Sequence, residues 1–437
     1  MEGEFIIMAK KKVCSFCGNE YRTDDKSVVL FKSSSDGTDI RICSECIKKC
    51  SELYNQKMAK MKQQEISGQV IEMTPKKIYE LLNEWVLDQD IAMKKIAREY
   101  YNHLKRLKRY DLDNECNDKL RIDKSNMIYM GPTGCGKTET IRAIASFMEL
   151  PYVIEDSSSF TSSGYVGRDV DEILRDLLDA ADGDLDKAQK GIVFLDEFDK
   201  LKKSTGGKNG KDVSGEAVQQ ALLRLVEGGT HKVKKDKQTG ATMDFNTDNV
   251  LFIAGGAFVG LEKIIADRLN KASGKANVGF GAALEKEQEQ RYNELITQVK
   301  PEDLMTYGMI PEVLGRFPVL VPFKELSVET LVDILTEPKH AMIKQFKEMY
   351  KFESNVELDF TDNALQLIAS KAKEKKIGAR GLRSVLEEVL DEVGFEYPSI
   401  KGLSKIIIQD DLSYEYIVEQ PVAKDNALDL SEASDEE

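Results

Sequence analysis

Apolar residues recur along this chain in two rhythms, and the places where one gives way to the other divide it. From Pro75 onward Ile78, Leu81 and Leu82 fall at helical spacing, and a second helical pattern runs from Asp90 to about Tyr110. Four short runs follow that are apolar enough to be buried on both faces: Asn126 to Met130, Ile192 to Leu195, Val250 to Ala254 and Val319 to Val321. Helical stretches lie between them, and strands alternating with helices predict a parallel α/β sheet. After Phe323 the rhythm lengthens into helical segments over Val328 to Tyr350, Asp362 to Lys375 and Leu382 to Val393, with a short β stretch at Lys405 to Gln409. That change predicts a smaller, mainly helical α+β domain.

The expected organisation is a small unit at residues 8–54, a linker at 55–74, a large domain at 75–323, a small domain at 324–420 and an acidic tail at 421–437. The first unit is too short to bury a sizeable core and needs a staple. The linker carries Lys57, Lys60, Lys62, Gln63, Gln64 and Gly68 with no sustained apolar period. From Lys424 to Glu437 the chain is rich in Asp, Glu, Ser and Asn and reads as disordered.

A length of 437 residues fits two to four folded units. No run approaches the roughly 20 apolar residues of a membrane span, and Met1 to Lys12 places its charges in the wrong order for a secretory signal. The expected location is cytoplasmic, with no membrane partner. A formal charge of -14 argues against nucleic acid as a partner, because phosphate neutralisation needs a concentrated basic face.

Of the seven cysteines, Cys14, Cys17, Cys43 and Cys46 form two C-x-x-C pairs. In a cytosolic chain that spacing points to a metal rather than to disulfides. Thiolates on two turns suit a tetrahedral structural Zn2+ with no open position for catalysis, which would supply the missing staple. The competing reading is four unrelated reduced thiols.

The stretch Gly131-Pro-Thr-Gly-Cys-Gly-Lys-Thr138 carries the most specific chemistry. A glycine-rich turn can be purely structural, but here a strand leads in and a helix leads out, which places phosphates on a helix N-terminus. Gly131, Pro132, Thr133, Gly134, Cys135, Gly136, Lys137, Thr138 and Glu139 are the expected ATP-binding segment. Lys137 would reach the terminal phosphates and Thr138 would hold Mg2+. Cys135 occupies a variable loop position, so its thiol reads as incidental. The apolar strand Ile192 to Leu195 delivers Asp196 and Glu197 to its C-terminal edge, where open α/β sheets bind ligands. Asp196 would orient the magnesium shell and Glu197 would polarise the attacking water; a solvated acidic turn is the bland alternative.

Between these elements lies Ser163-Gly-Tyr-Val-Gly-Arg168, which in isolation would read as a packed turn. In this order, followed by Lys211-Asp-Val-Ser-Gly-Glu-Ala-Val-Gln-Gln220, the series resembles the ClpX family of AAA+ unfoldases. Further matches are Tyr101-Asn-His-Leu-Lys-Arg-Leu107, Ala254-Gly-Gly-Ala-Phe258, Ile310-Pro-Glu-Val-Leu-Gly-Arg-Phe317 and Gly378-Ala-Arg-Gly-Leu-Arg-Ser384, and the resemblance runs from Cys14 to about Pro398.

The resemblance implies an α/β AAA+ P-loop ATPase in two parts behind a four-cysteine zinc-binding domain. It also implies a homohexamer in which Tyr165 and Val166 grip unfolded or tagged polypeptide, an aromatic ring being able to push on any sequence while its flanking glycines let it travel. On the same ground, Asp212 to Gln219 would form a second pore loop, Arg316 an arginine finger acting in trans, and Arg380 a sensor arginine. Read without the family, either arginine would be a surface ion pair. Asn277-Val-Gly-Phe-Gly281 is similar to the family loop that docks on a ClpP-type peptidase, with Val278, Gly279 and Phe280 at the contact. The zinc domain would present substrates or adaptor proteins, and Cys50 fits a family core position rather than the ligand set.

The chain departs from the family at three places. Gly229 to Gly240 is basic but arranged unlike the family's pore-entrance loop. Asp88 stands where the family's Val-Ile-Gly-Gln motif has glycine, in Val86-Leu-Asp-Gln89. Val250 to Ala254 ends without an obvious polar sensor residue. A protease-independent remodelling chaperone of the same fold stays open as an alternative to the unfoldase, whereas a nucleic-acid motor lacks the ladder of basic residues it would need.

Overall fold

The computed structural model describes residues 11–22, 30–33, 40–51, 53–54, 57, 73–112, 122–160, 168–203, 215–234, 242–273 and 285–418. Its contacts separate two compact units, Met1–Met73 with Lys108–Cys116, and Thr74–Leu107 with Asn117–Glu437.

In the first unit β1 (Lys11–Val13) pairs antiparallel with β2 (Glu20–Arg22), and β3 (Leu30–Ser33) pairs antiparallel with β4 (Ile40–Cys43). Helix α1 (44–51) follows directly. Its described buried core consists of Cys14, Cys43 and Cys46 with Ile42 packed against them. Among the described residues that interior is made of thiols, which offer too little apolar surface to hold a unit together by burial alone.

The second unit opens with α2 (Pro75–Asn83), which Thr74 caps by accepting from the Lys77 N–H, and with α3 (Asp90–Leu112) up to Leu107, the helix's last turn being grouped with the first unit. The sheet and its crossovers follow: β5 (Met127–Met130), α4 (Lys137–Met148), β6 (Tyr152–Asp156), α5 (Glu172–Ala180), α6 (Leu185–Ala188) and β7 (Ile192–Asp196). Next come α7 (Gly215–Glu227), the antiparallel hairpin β8 (Thr230–Lys234) and β9 (Thr242–Asn246), and β10 (Leu251–Gly256). Helices α8 (Leu261–Ser273), α9 (Glu285–Ile296), α10 (Pro301–Tyr307) and α11 (Pro311–Arg316) lead to β11 (Val319–Pro322).

Five strands pair in parallel in the order β11-β5-β10-β7-β6. All four predicted strands are present, and β6 is the one the apolar pattern passed over. It lies at the sheet edge with Tyr152, Val153 and Ile154 only partly covered, so its residues are not uniformly apolar.

The remaining residues build α12 (Val328–Thr336), α13 (Met342–Ser354), β12 (Glu357–Phe360), α14 (Asp362–Glu374), α15 (Arg380–Glu396), β13 (Leu403–Ile408) and β14 (Tyr414–Val418). β13 pairs parallel with β12 and antiparallel with β14. The single helix expected over Val328 to Tyr350 is two helices. Pro338 interrupts it, because proline lacks the N–H that would continue the helical ladder.

Two contacts tie the segment after α2 to the start of the small domain. Gln89, almost fully buried, donates to the Lys324 carbonyl at 3.0 Å and accepts the Lys324 N–H at 2.8 Å. Asp88 adopts φ +54°, where glycine is free of cost and Asp is among the better-tolerated side chains. Its carboxylate accepts from the Thr330 hydroxyl at 3.0 Å, a bond that glycine could not make and that offsets the backbone cost. Asp88→Gly should therefore leave the thermal midpoint nearly unchanged. Asp88→Val, β-branched at positive φ, should cost about 1–3 kcal/mol; equal losses in thermal unfolding for both variants would show that the hydrogen bond alone matters.

Candidate functional site

The turn between β5 and α4 is shaped by close backbone approach. A Cβ on Gly134 would lie 2.3 Å from the Ile377 carbonyl oxygen, and one on Gly136 would lie 2.7 Å from Val86 Cγ1. Both glycines also hold positive φ, +76° and +101°, which other residues adopt only under strain. Gly136 ends the turn as the N-cap of α4 and offers no side-chain cap, so the first N–H groups of α4 are available to an anion.

Lys137 is buried, and its ammonium donates to the carbonyls of Gly131 and Pro132, each at 2.7 Å. An ammonium held at the mouth of such a turn can exchange these neutral acceptors for phosphate oxygens. Thr138 is half-buried and lines the same cavity. Burial raises the Cys135 thiol above its ordinary range and outweighs the Lys137 ammonium 3.8 Å away, which keeps it a thiol and agrees with an incidental role.

Asp196 ends β7, and Glu197 follows at φ +53° with its N–H donating to Asp196 Oδ1 at 2.9 Å. That left-handed turn directs the chain away from the strand and leaves Glu197 exposed while Asp196 is half-buried. Asp199, which the sequence reading passed over, is buried and accepts the Phe258 N–H at 3.2 Å, joining this turn to the end of β10. A Cβ on Gly256 would lie 2.5 Å from Asp199 Oδ1, so the approach needs the glycine. β10 ends in Gly255 and Gly256, so it presents glycine, with no polar side chain, to the cavity that Gly256 lines.

These groups face a cavity of about 610 Å³, within the usual range for a small-molecule site. Thr133 to Glu139, Asp196 and Glu197 line one side, and Arg380 and Arg383 come from the small domain. The turn before Arg380 touches the glycine-rich turn directly, the Ala379 N–H donating to the Gly134 carbonyl at 3.1 Å. Trp85 and His340 pack as a tilted ring pair 4.9 Å between centroids, also on the lining. Neither belonged to a recognised motif, although Trp85 is the chain's single tryptophan.

Arg316 does not line this cavity. It is half-exposed at the end of α11, its guanidinium pairs with Glu227 at 3.0 Å, and its carbonyl accepts from Asn126 at 3.0 Å. That position suits a group that serves something other than its own chain's pocket.

In the first unit the sulfurs of Cys14, Cys17, Cys43 and Cys46 lie within 4.8 Å of one another. Cys14 follows β1, Cys43 closes β4 and Cys46 sits in the first turn of α1. The Cys43 N–H points at Cys14 Sγ at 3.3 Å, and the Cys46 N–H at Cys43 Sγ at 3.4 Å, contacts suited to thiolates. The Cys17 main-chain N–H and its neighbours draw the Cys14 thiol down to about 6, while burial and the adjacent sulfurs push Cys46 up. Four convergent sulfurs fit one tetrahedral zinc ion with no fifth group among the described residues.

Tyr165, Val166, Val278, Gly279 and Phe280 lie outside the described residues, as do Asp212 to Ser214. The rest of the expected second pore loop is helix. Gln219 is buried in α7, donating to the Leu201 carbonyl at 2.7 Å and accepting the Ile310 N–H at 3.0 Å, so it clamps the core rather than facing a channel.

Residues 122–320 match the AAA domain (Cdc48 subfamily), and residues 326–401 match the C-terminal, D2-small domain of ClpB protein. Over 401 residues, 91% of this chain and 92% of the relative, the sequence is 40% identical to the ATP-dependent Clp protease ATP-binding subunit ClpX of Treponema denticola. It is 40% identical over 395 residues to the protein of that name from Azotobacter vinelandii, covering 89% of this chain and 87% of the relative. With the subunit named ClpX 3 from Methylococcus capsulatus it shares 37% over 414 residues, 92% of each chain.

Saturating ATP should change the fluorescence of Trp85 if the base binds on the side of the cavity that Trp85 and His340 line. Unchanged emission at saturation would place the base elsewhere.

Proposed function

Because this chain belongs to the ClpX family of ATP-binding Clp protease subunits and carries an AAA ATPase domain, we propose that it is a ring-forming ATPase that unfolds proteins and threads them into a ClpP-type peptidase. The observation that carries the reading is the convergence on one cavity of Lys137, the Asp196–Glu197 pair and Arg380, which come from both the large and the small domain. Hydrolysis at such a site can change how the two domains sit against each other, and that change is what a mechanical engine needs.

In this reading Lys137 and the N–H groups at the start of α4 hold the phosphates, and Arg380 adds a permanent charge from the small domain. Thr138 and Asp196 would hold magnesium, which when bound neutralises charge on the phosphate oxygens. Glu197, exposed to the cavity, accepts the proton of the attacking water. Arg316 reaches the pocket of a neighbouring copy, so turnover depends on assembly; its place outside its own cavity supports this. Tyr165 and Val166 would grip the polypeptide, and Val278, Gly279 and Phe280 would dock the peptidase. Cys14, Cys17, Cys43 and Cys46 would hold zinc as a staple for the first unit.

Purified protein with its cognate ClpP should degrade a folded, tagged reporter only with ATP. Glu197→Gln should lower turnover by about 10²–10⁴-fold while nucleotide stays bound, and Phe280→Ala should end degradation but spare ATPase activity. Robust ATPase activity with no degradation of any reporter would favour the protease-independent remodeller. For the cysteine cluster, elemental analysis should find about one zinc per chain, lost in Cys43→Ala; a metal-free wild-type protein with four reactive thiols would rule the staple out.

A further inference from the structure

Arg168 is the first described residue after 161–167, and three carboxylates surround it. Its N–H donates to the Ser159 carbonyl at 3.3 Å and it forms a bridge with Phe160, so the chain on either side of 161–167 is joined at the backbone. The guanidinium then divides its donors among three carboxylates on two elements. Glu155 on β6 and Asp176 on α5 each receive a terminal nitrogen, and Glu172 on α5 receives Nε at 3.4 Å. The cation also lies over the Phe160 ring, 5.8 Å from its centroid.

Glu155 sets the weight of this arrangement. Its side chain is 5% exposed, and Arg168 is its ion-pair partner. A carboxylate removed from water is tolerable only while its counter-charge stays in place. Asp176 has a second cation in Arg175 at 3.4 Å, so that contact does not depend on Arg168 alone. Satisfying three carboxylates from different directions requires the planar fork of arginine; an ammonium is a point charge on a flexible stem.

The register of β6 gives the clamp a route to the nucleotide. Glu155 pairs with Leu195 and Asp156 pairs with Asp196, so the strand that Arg168 grips lies hydrogen-bonded beside the strand carrying the acidic pair. We propose that Arg168 is a positioning residue that locks the end of the Tyr165–Val166 segment to β6 and α5, and so sets how much of each ATP turnover becomes pulling on polypeptide. This rests on the reading of that segment as the gripping element.

The test measures ATP consumed per folded reporter degraded with ClpP, beside basal ATPase activity and thermal midpoint. Arg168→Ala strands Glu155 without its partner and is expected to be less stable, so the informative protein is the double variant Glu155→Ala with Arg168→Ala, in which neither charge remains. It should regain the wild-type midpoint and keep basal ATPase activity within about twofold, yet consume about tenfold or more ATP per reporter. Arg168→Lys should fall between, because it keeps charge without the fork. A double variant that degrades the reporter at wild-type ATP cost would overturn the clamp. Tyr165→Ala separates that result from a failure of the underlying reading: if Tyr165→Ala is impaired while the double variant is not, the gripping role stands and only the clamp falls, and if both match wild type, both fall.

Discussion

The site depends on one backbone approach, that of the turn before α15 against the glycine-rich turn after β5. Ala379 donates to the Gly134 carbonyl at 3.1 Å, and a Cβ on either Gly134 or Gly378 would lie within 2.4 Å of an opposing carbonyl oxygen. Only two facing glycines allow the chains to come this close. Through that contact the small domain closes the cavity and brings Arg380 to its wall. Gln89 and Asp88 brace the same junction from the other side, through Lys324 and Thr330.

Charge is distributed around this junction according to burial. Lys137 is covered and satisfied by carbonyls, whereas Glu197 stands exposed where water can reach it. Arg316, half-exposed and paired with Glu227, stays away from its own pocket. An exposed pair of this kind contributes little to stability, so Arg316 can leave it for a stronger anion at small cost. Arg168 is the opposite case, since the carboxylate it serves is buried and cannot be left alone.

The two units are held by different physics. In the larger one, buried β5, β7 and β10 with the helices beside them form an ordinary apolar core. In the smaller one the described core is sulfur, so its stability is linked to whatever those sulfurs bind.

Much of this was legible in the sequence because it depends on local rules. Four apolar runs marked strands, three of them buried and the fourth, β11, a half-buried edge; a glycine-rich turn between strand and helix marked a phosphate site, and paired cysteines marked a metal cluster. Strand β6 escaped because an edge strand need not be uniformly apolar, and the break at Pro338 was hidden by the helical rhythm on both sides. Trp85 and His340 escaped because they meet only through the fold, far apart in the chain, and Asp199 because its role depends on the distant Phe258 N–H. The sequence by itself determined the chemistry on offer, since residue type and spacing dictate what a phosphate or a metal ion can meet. Only the tertiary structure decided that Gln219 clamps the core, that Arg380 but not Arg316 faces its own cavity, and that Arg168 bridges two elements. Those outcomes depend on distances between distant segments, which no local pattern encodes.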